Sequence, residues 1–158
     1  MIIYVFDSGP LILLFRHYYP ERFPSLWEQF EGMIGERRIV STPEVRRELE
    51  GHGDRLSNWC KENRKKVFVT PSAEELAIVR KIFEIEHFQA MIRKQERLQG
   101  KPVADPFVIA RAKLLEDACV VTSEKMTPNA AKIPNVCEEF KVEWTDLEGF
   151  MERENWRF

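Results

Sequence analysis

The N-terminal stretch Ile2-Ile3-Tyr4-Val5-Phe6-Asp7-Ser8 decides how this chain folds. A short apolar run that stops at a polar turn is typical of a strand in the core of a sheet. Further runs of this kind are residues 38–41, 67–70, 119–122 and 141–144, in addition to 2–6. They alternate with helical patterns, which predicts an α/β fold with a mostly parallel central sheet.

Helical segments lie between these runs and are bounded by prolines, glycines and capping residues. Pro20 and Pro24 separate the first two helices. Ser72, with Glu75 three residues later, forms a capping-box pattern at the start of a long helix. The predicted helices cover residues 10–19, 25–34, 43–50, 59–64 and 72–95. No repeat or linker interrupts the pattern, so residues 1–158 are expected to form a single domain.

The composition is that of a protein outside the membrane. The 158 residues are 44% hydrophobic and 32% charged, and no apolar run approaches the ~20 residues of a membrane span. The chain opens on a core strand and not on a signal peptide, so we expect no membrane partner and a cytoplasmic location. Cys60, Cys119 and Cys137 are odd in number and widely spaced, which favours reduced core thiols over disulfides or a zinc site.

Charge is distributed unevenly along the chain, although the net charge is only −2. Residues 37–66 contain nine basic and five acidic side chains, and residues 88–113 contain six and two. Residues 138–158 instead contain seven acids and three bases. The pattern fits a molecule with one basic and one acidic face, and it fits solvated helix surfaces equally well.

Acidic residues follow the predicted strands at the edge where ligands bind in open α/β folds. Asp7 ends the first strand, Glu124 follows residues 119–123, and Asp105 opens a helical segment. With Glu48 added, such carboxylates repel each other unless a cation neutralises them. Mg²⁺ or Mn²⁺ prefers oxygen ligands and supports attack on phosphate, so the acids predict metal-dependent phosphodiester cleavage.

Each acid also has a structural interpretation. Asp7 lies before a turn and a helix, and Asp105 precedes Pro106, so either side chain would serve as a helix cap. Glu48 fits an exposed position on a charged helix, and Glu44, one helical turn earlier, competes with it as the second acid.

Four short motifs, in a fixed order, link this chain to a known family. They are Val5-Phe6-Asp7-Ser8, Thr42-Pro43-Glu44-Val45-Arg46-Arg47-Glu48-Leu49, Ala104-Asp105-Pro106-Phe107-Val108-Ile109-Ala110-Arg111-Ala112 and Val120-Val121-Thr122-Ser123-Glu124. Together they resemble the PIN-domain ribonucleases, which include the toxins of many prokaryotic toxin–antitoxin pairs. The resemblance runs over most of the chain. It implies a three-layer α/β/α sandwich and metal-dependent RNA cleavage, with Asp7, Glu48 and Asp105 as the principal carboxylates.

The fourth motif departs from the family pattern. Many members have Thr-x-Asp where this chain has Thr122-Ser123-Glu124, so Glu124 binds the metal directly, binds through water or does not bind. Asp146 is a substitute for it from the C-terminal part. Ser8, Thr122 and Ser123 are expected to support the carboxylates. The long segment 72–101 and the C-terminal tail indicate an uncharacterised branch of the family.

Basic residues beside the acids predict how RNA would bind. Arg46 and Arg47 flank Glu48, while Arg97 and Lys101 precede Asp105, and such side chains contact phosphates with little sequence specificity. The resemblance adds an antitoxin protein as an expected partner. The apolar stripe of the long helix, which includes Leu76, Val79, Ile82 and Phe83, predicts core packing or a homodimer interface. The rival hypothesis is a catalytically silent PIN-like module that binds RNA or protein.

Overall fold

The computed structural model describes residues 1–90 and 105–158. The described residues form one sheet of four strands, β1 (Ile3–Phe6), β2 (Ile39–Val40), β3 (Ala118–Val121) and β4 (Glu143–Thr145). All neighbouring strands are parallel, and their order is β2-β1-β3-β4. The predicted parallel sheet is therefore confirmed.

Helices cover both faces of this sheet. The described part of the chain contains α1 (Ser8–His17), α2 (Pro24–Gly35), α3 (Pro43–Leu49), α4 (Asp54–Glu62), α5 (Ala73–Glu84), α6 (Asp105–Leu114), α7 (Ile133–Phe140) and α8 (Leu147–Arg153). Phe30 of α2 and Phe150 of α8 pack edge-on against Phe6 of β1. On the other face, α6 packs against β1, β3, α5 and α7. The molecule is thus a three-layer α/β/α sandwich, as expected.

Strand β1 lies in the centre of the fold. Tyr4, Val5 and Phe6 are completely buried, because neighbouring strands pair with β1 on both edges and helices cover both faces. The chain leaves β1 for β2 on one side and later returns to β3 on the other. Strand order therefore reverses between β1 and β3, which is where open α/β folds bind their ligands.

Three predicted elements differ from the structure. Residues 67–70 form only an isolated parallel bridge between Phe68 and Ser41, because the edge strand β2 is too short to pair with a longer run. The helix predicted over residues 59–64 begins earlier, at Asp54. The long helix predicted over residues 72–95 ends at Glu84, where Ile85 adopts an extended backbone, and a 3₁₀ turn, Glu86–Gln89, follows; positions 91–95 of this prediction lie outside the described residues.

The predicted capping box at α5 is half formed. The Ser72 hydroxyl accepts a hydrogen bond from the Glu75 amide at 3.2 Å, as expected for the N-cap. The Glu75 carboxylate does not return this bond but pairs with Arg111 of α6. Of the apolar stripe on this helix, Val79 and Ile82 are buried in the core.

The remaining general predictions concern cysteines and membranes. All three cysteines are buried and free, and burial raises the pKa of the Cys60 and Cys119 thiols to about 11. Among the described residues, no helix is long and apolar enough to cross a membrane.

Candidate active site

Asp7 lies at the point where strand order reverses. It follows β1 directly, its amide donates to the carbonyl of Val121 on β3 at 2.9 Å, and only 6% of its surface is exposed. The Thr122 hydroxyl donates to Asp7 Oδ2 at 3.1 Å. Asp7 occupies the N-cap position of α1, but within the described residues its side chain makes no capping hydrogen bond of the usual kind, so capping alone does not account for this carboxylate.

Glu48 reaches the same place from α3. The Ser8 hydroxyl, at the start of α1, donates to Glu48 Oε2 at 2.9 Å. Glu44, one turn earlier, is buried and instead pairs with Arg47 at 3.3 Å. Of the two competing glutamates, Glu48 is therefore the one that a hydrogen bond connects to the residue beside Asp7.

Glu124 approaches from the loop after β3. Its amide donates to the Thr122 hydroxyl at 3.1 Å, and its Oε2 accepts from the amide of Ile133 at 2.7 Å. Ile133 begins α7, so the carboxylate is stabilised by the positive end of that helix. Asp146, the predicted substitute, is exposed and caps α8 by accepting from the Gly149 amide at 2.8 Å.

The charges of these acids act on each other. Burial, followed by repulsion from Glu48 and Glu124, raises the pKa of Asp7 to about 7. The Ser8 amide and the Thr122 hydroxyl oppose this rise, because they hydrogen-bond the charged carboxylate. A cation at this position would remove both the repulsion and the cost of burying the charge.

Asp105 is the first residue of α6 and is 6% exposed. A link of only three residues joins α6 to the start of β3, so α6 runs back along the strand and its first residue points toward the carboxyl edge of the sheet. This edge also holds Asp7. Direct approach of Asp105 to the other acids stays a prediction.

The other predicted residues are placed as follows. Ser123 is exposed and lies against Gly9, where a Cβ atom would be 2.7 Å from its hydroxyl. Arg46 pairs with Glu50 at 3.3 Å on α3. Arg97 and Lys101 lie outside the described residues.

A buried network behind Asp7 was not predicted. Arg111 of α6 binds Glu75 of α5 through Nε at 3.2 Å and also donates to the Ser41 carbonyl after β2. The Ser41 hydroxyl in turn donates to the Phe6 carbonyl at 2.6 Å. The signal in the sequence was Arg111 itself, because a charge inside an apolar helical run needs a buried partner.

The donor set fits a hard divalent cation. The carboxylates of Asp7 and Glu48, with Asp105 as the predicted third, would supply oxygen ligands, and a cation would compensate the buried charge of Asp7. In the part of the chain that the structure describes, no three His, Cys, Asp or Glu side chains already converge closely enough to hold a metal ion.

Fold and site together define an α/β/α protein with acidic residues at the switch point of a parallel sheet. The chain matches the family model of a domain of unknown function, DUF4411, over residues 4–158, and it belongs to that family. The match includes all four predicted acids. No curated protein matches the chain.

Proposed function

We propose that this protein is a metal-dependent endoribonuclease that cleaves RNA at the acidic cluster, which we define as Asp7, Glu48, Asp105 and Glu124. The observation that carries the proposal is geometric. The Thr122 hydroxyl binds the Asp7 carboxylate and accepts from the backbone amide of Glu124, while Ser8, which follows Asp7 in the chain, binds the Glu48 carboxylate, so acids from three segments are brought to the switch point. The resemblance to PIN-domain ribonucleases supports RNA as the substrate.

Mg²⁺ or Mn²⁺ would be held by Asp7, Glu48 and Asp105. When bound, such an ion polarises the phosphoryl group and lowers the pKa of water. The described residues prepare the ligands for this role. Thr122 fixes Oδ2 of Asp7, and Ser8 fixes Oε2 of Glu48, so both carboxylates are oriented before a cation arrives.

Glu124 has a more distant role in this proposal. One of its oxygens is engaged by the Ile133 amide, which leaves the other oxygen to accept from a water molecule. Its negative charge still acts on Asp7. We therefore assign Glu124 to orienting water in the acidic cluster.

The biological setting follows from the same resemblance. As the toxin of a toxin–antitoxin pair, the protein would bind an antitoxin that covers the acidic cluster with a basic residue or an amphipathic helix. A cytoplasmic location belongs to the proposal, and the three free cysteines support it.

A catalytically silent module is the second candidate. The observations that favour it are the engagement of Glu124 by α7 and the fact that the described acids do not already converge on a metal position. In that case the module would bind RNA or protein without cleaving it.

Cleavage of a mixed RNA pool separates the two candidates. Wild type, Asp7→Asn and Asp105→Asn are incubated with Mn²⁺, with Mg²⁺ and with chelator. Asp146→Asn is the matched control, because it removes a carboxylate that caps α8 and asparagine caps about as well. We expect metal-dependent cleavage by wild type and Asp146→Asn, and none by the other two variants.

Other results would reject the assignment. Cleavage that persists in folded Asp7→Asn would mean that the acids are misassigned or that a contaminating nuclease is present. Absence of cleavage by folded wild type would favour the silent module.

A further inference from the structure

A cleft with basic walls opens beside the acidic cluster. It has a volume of about 470 Å³ and lies between α3 and residues 64–71. Arg46 and Arg47 line one wall, and Arg64 and Lys65 line the other. A second cleft of about 320 Å³ shares Arg46 and Arg64 and adds Lys61. We call these five residues and the space between them the basic cleft.

The positive charge of the basic cleft is only partly neutralised. Glu44 and Glu50 are the acids that line it: Glu50 pairs with Arg46, and Glu44 pairs with Arg47 through Oε2, while its buried Oε1 has no hydrogen-bond partner among the described atoms. Arg64 and Lys65 are exposed, and neither takes part in an ion pair among the described residues. Five basic and two acidic side chains leave an excess positive charge that attracts an anion.

Arg46 has unused hydrogen-bonding capacity. Its Nε is buried and has no acceptor among the described atoms, while its Nη1 reaches Glu50 only at 3.3 Å. A buried donor without an acceptor costs on the order of 1–3 kcal/mol. A phosphate oxygen that drew the guanidinium toward the open cleft would satisfy this donor.

The walls of the cleft also carry apolar surface. Pro43, Val69 and Pro71 line it together with the basic residues, and Val69 is 48% exposed. Cations next to apolar surface suit a nucleotide, whose phosphate is charged and whose base is flat and poorly hydrated. A site for inorganic anions alone would gain nothing from this apolar wall.

The basic cleft and the acidic cluster share helix α3. Glu44 lines the cleft, and Glu48 lies one helical turn further on, where it binds Ser8 beside Asp7. One turn of helix is only ~5.4 Å long. A strand with one phosphate at the acidic cluster would therefore bring a neighbouring nucleotide to the cleft.

We infer that the basic cleft binds a nucleotide of single-stranded RNA next to the cleaved bond, with Arg64 and Lys65 as phosphate-binding residues. This inference rests on the proposed function for its choice of RNA over an acidic polypeptide. Binding in the cleft needs no metal, so it is measured separately from cleavage.

The test is the affinity of a fluorescent single-stranded RNA oligonucleotide, measured by anisotropy in chelator over a range of salt concentrations. The variant is Arg64→Gln/Lys65→Gln. Its matched control is Arg80→Gln/Lys81→Gln, which removes the same adjacent pair of charges from the exposed side of α5, away from the cleft. Thermal unfolding of both variants checks that they are folded.

We expect the cleft variant to bind roughly tenfold more weakly at 0.1 M salt. Its plot of log K against log salt should also be less steep than that of wild type, by about 1.4, whereas the control stays close to wild type. Equal losses in both variants, or no loss in the cleft variant, would overturn the inference. Competition by polyglutamate as strong as by unlabelled RNA would overturn it in favour of an acidic polypeptide.

Failure of the two proposals can be told apart. If wild type never cleaves RNA but the cleft variant loses binding, the ribonuclease proposal fails and the basic cleft stands. If Asp7→Asn abolishes cleavage while the cleft variant binds normally, the basic cleft fails and the ribonuclease stands.

Discussion

The carboxylate of Asp7 is destabilised in the folded protein, and this has a consequence for pH. Its pKa rises from 3.8 to about 7, mainly through burial and then through Glu48 and Glu124. An acid whose pKa is raised on folding binds its proton more tightly in the native state. The metal-free protein should therefore lose stability as pH rises from about 4 to 7.

Asp7→Asn should remove this loss, because asparagine stays neutral at every pH. In chelator at pH 8 we expect the variant to be more stable than wild type, by an amount on the order of a few kcal/mol. Urea unfolding at pH 4.5 and pH 8 measures the difference. Asp146→Asn should keep the wild-type pH dependence, and an equally steep decline in Asp7→Asn would contradict the assigned cause.

Thr122 orients Asp7 through a single hydroxyl, which can be tested without changing side-chain volume greatly. Thr122→Val removes the donor to Asp7 and the acceptor for the Glu124 amide. We expect metal-dependent cleavage to fall about 10- to 100-fold, with partial recovery at high metal concentration, as for other residues that orient metal ligands. Thr122→Ser keeps the hydroxyl and should retain activity. A loss that metal titration does not change would indicate a role other than ligand orientation.

Among the elements, α5 and α6 are joined to the sheet by a buried charge. Arg111 is 5% exposed and contacts both Glu75 and the Ser41 carbonyl, one residue after β2. Through the Ser41 hydroxyl, this contact continues to Phe6, which precedes Asp7. One guanidinium thus links α5, α6 and the residue after β2, and through Ser41 the end of β1.

Breaking this pair on one side should be costly. Arg111→Met leaves the Glu75 carboxylate buried without its partner, and we expect the free energy of unfolding to fall by about 3–5 kcal/mol. The double variant Arg111→Met/Glu75→Leu should lose less, because no unpaired charge remains. Chemical denaturation measures both.

An exposed ion pair provides the comparison. Arg153 and Glu143 approach to 2.8 Å but are 36% and 67% exposed, so Arg153→Met should cost no more than about 1 kcal/mol. Similar losses for Arg111→Met and Arg153→Met would show that burial does not control the energy of the Arg111 pair.

In the whole molecule, the topology places two groups of opposite charge at one edge of the sheet. The acidic cluster attracts a cation, and the basic cleft beside it attracts a polyanion. The C-terminal part is anchored to the sheet by Glu154, which accepts from Tyr4 at 2.7 Å and from Arg38 at 2.8 Å.

Binding of a cation to the native state should stabilise the entire fold. At a Mn²⁺ concentration of about 100 Kd, the gain is about 2.7 kcal/mol, which corresponds to a rise in Tm of roughly 5–10 °C for a domain of this size. Asp7→Asn and Asp105→Asn should show little of this shift. An equal rise in wild type and both variants would argue against a shared site.

Local patterns were sufficient for much of this architecture. Four of five predicted strands and the start of α5 at Ser72 follow from apolar periodicity, prolines and a hydroxyl cap, which depend on neighbouring residues only. The segment 67–70 has the same apolar character as the true strands. It is not one, because strand formation needs a partner of adequate length, and β2 has two residues.

Asp7 and Glu124 could be named from the sequence because they follow apolar runs, and the carboxyl ends of parallel strands share one edge, whereas Glu48 and Asp105 were assigned as ligands by the resemblance to the PIN-domain family. The sequence could not show which of these acids lie close together in the fold. Glu44 and Glu48 lie on the same short helix, and only the packing of α3 against α1 directs Glu48 toward Ser8 and Glu44 toward Arg47. In the same way, Asp146 is a helix cap because α8 begins directly after it. Glu124 is a neighbour of Asp7 because its carboxylate binds the first amide of α7.

The sequence by itself thus determined the alternation of strands and helices and the residue types at the sheet edge, since both are local properties of the chain. Only the tertiary structure decided the Arg111 network, the raised pKa of Asp7 and the basic cleft. These features join residues that are distant along the chain. Their energies depend on burial and on the distances between charges, which exist only after the layers have packed.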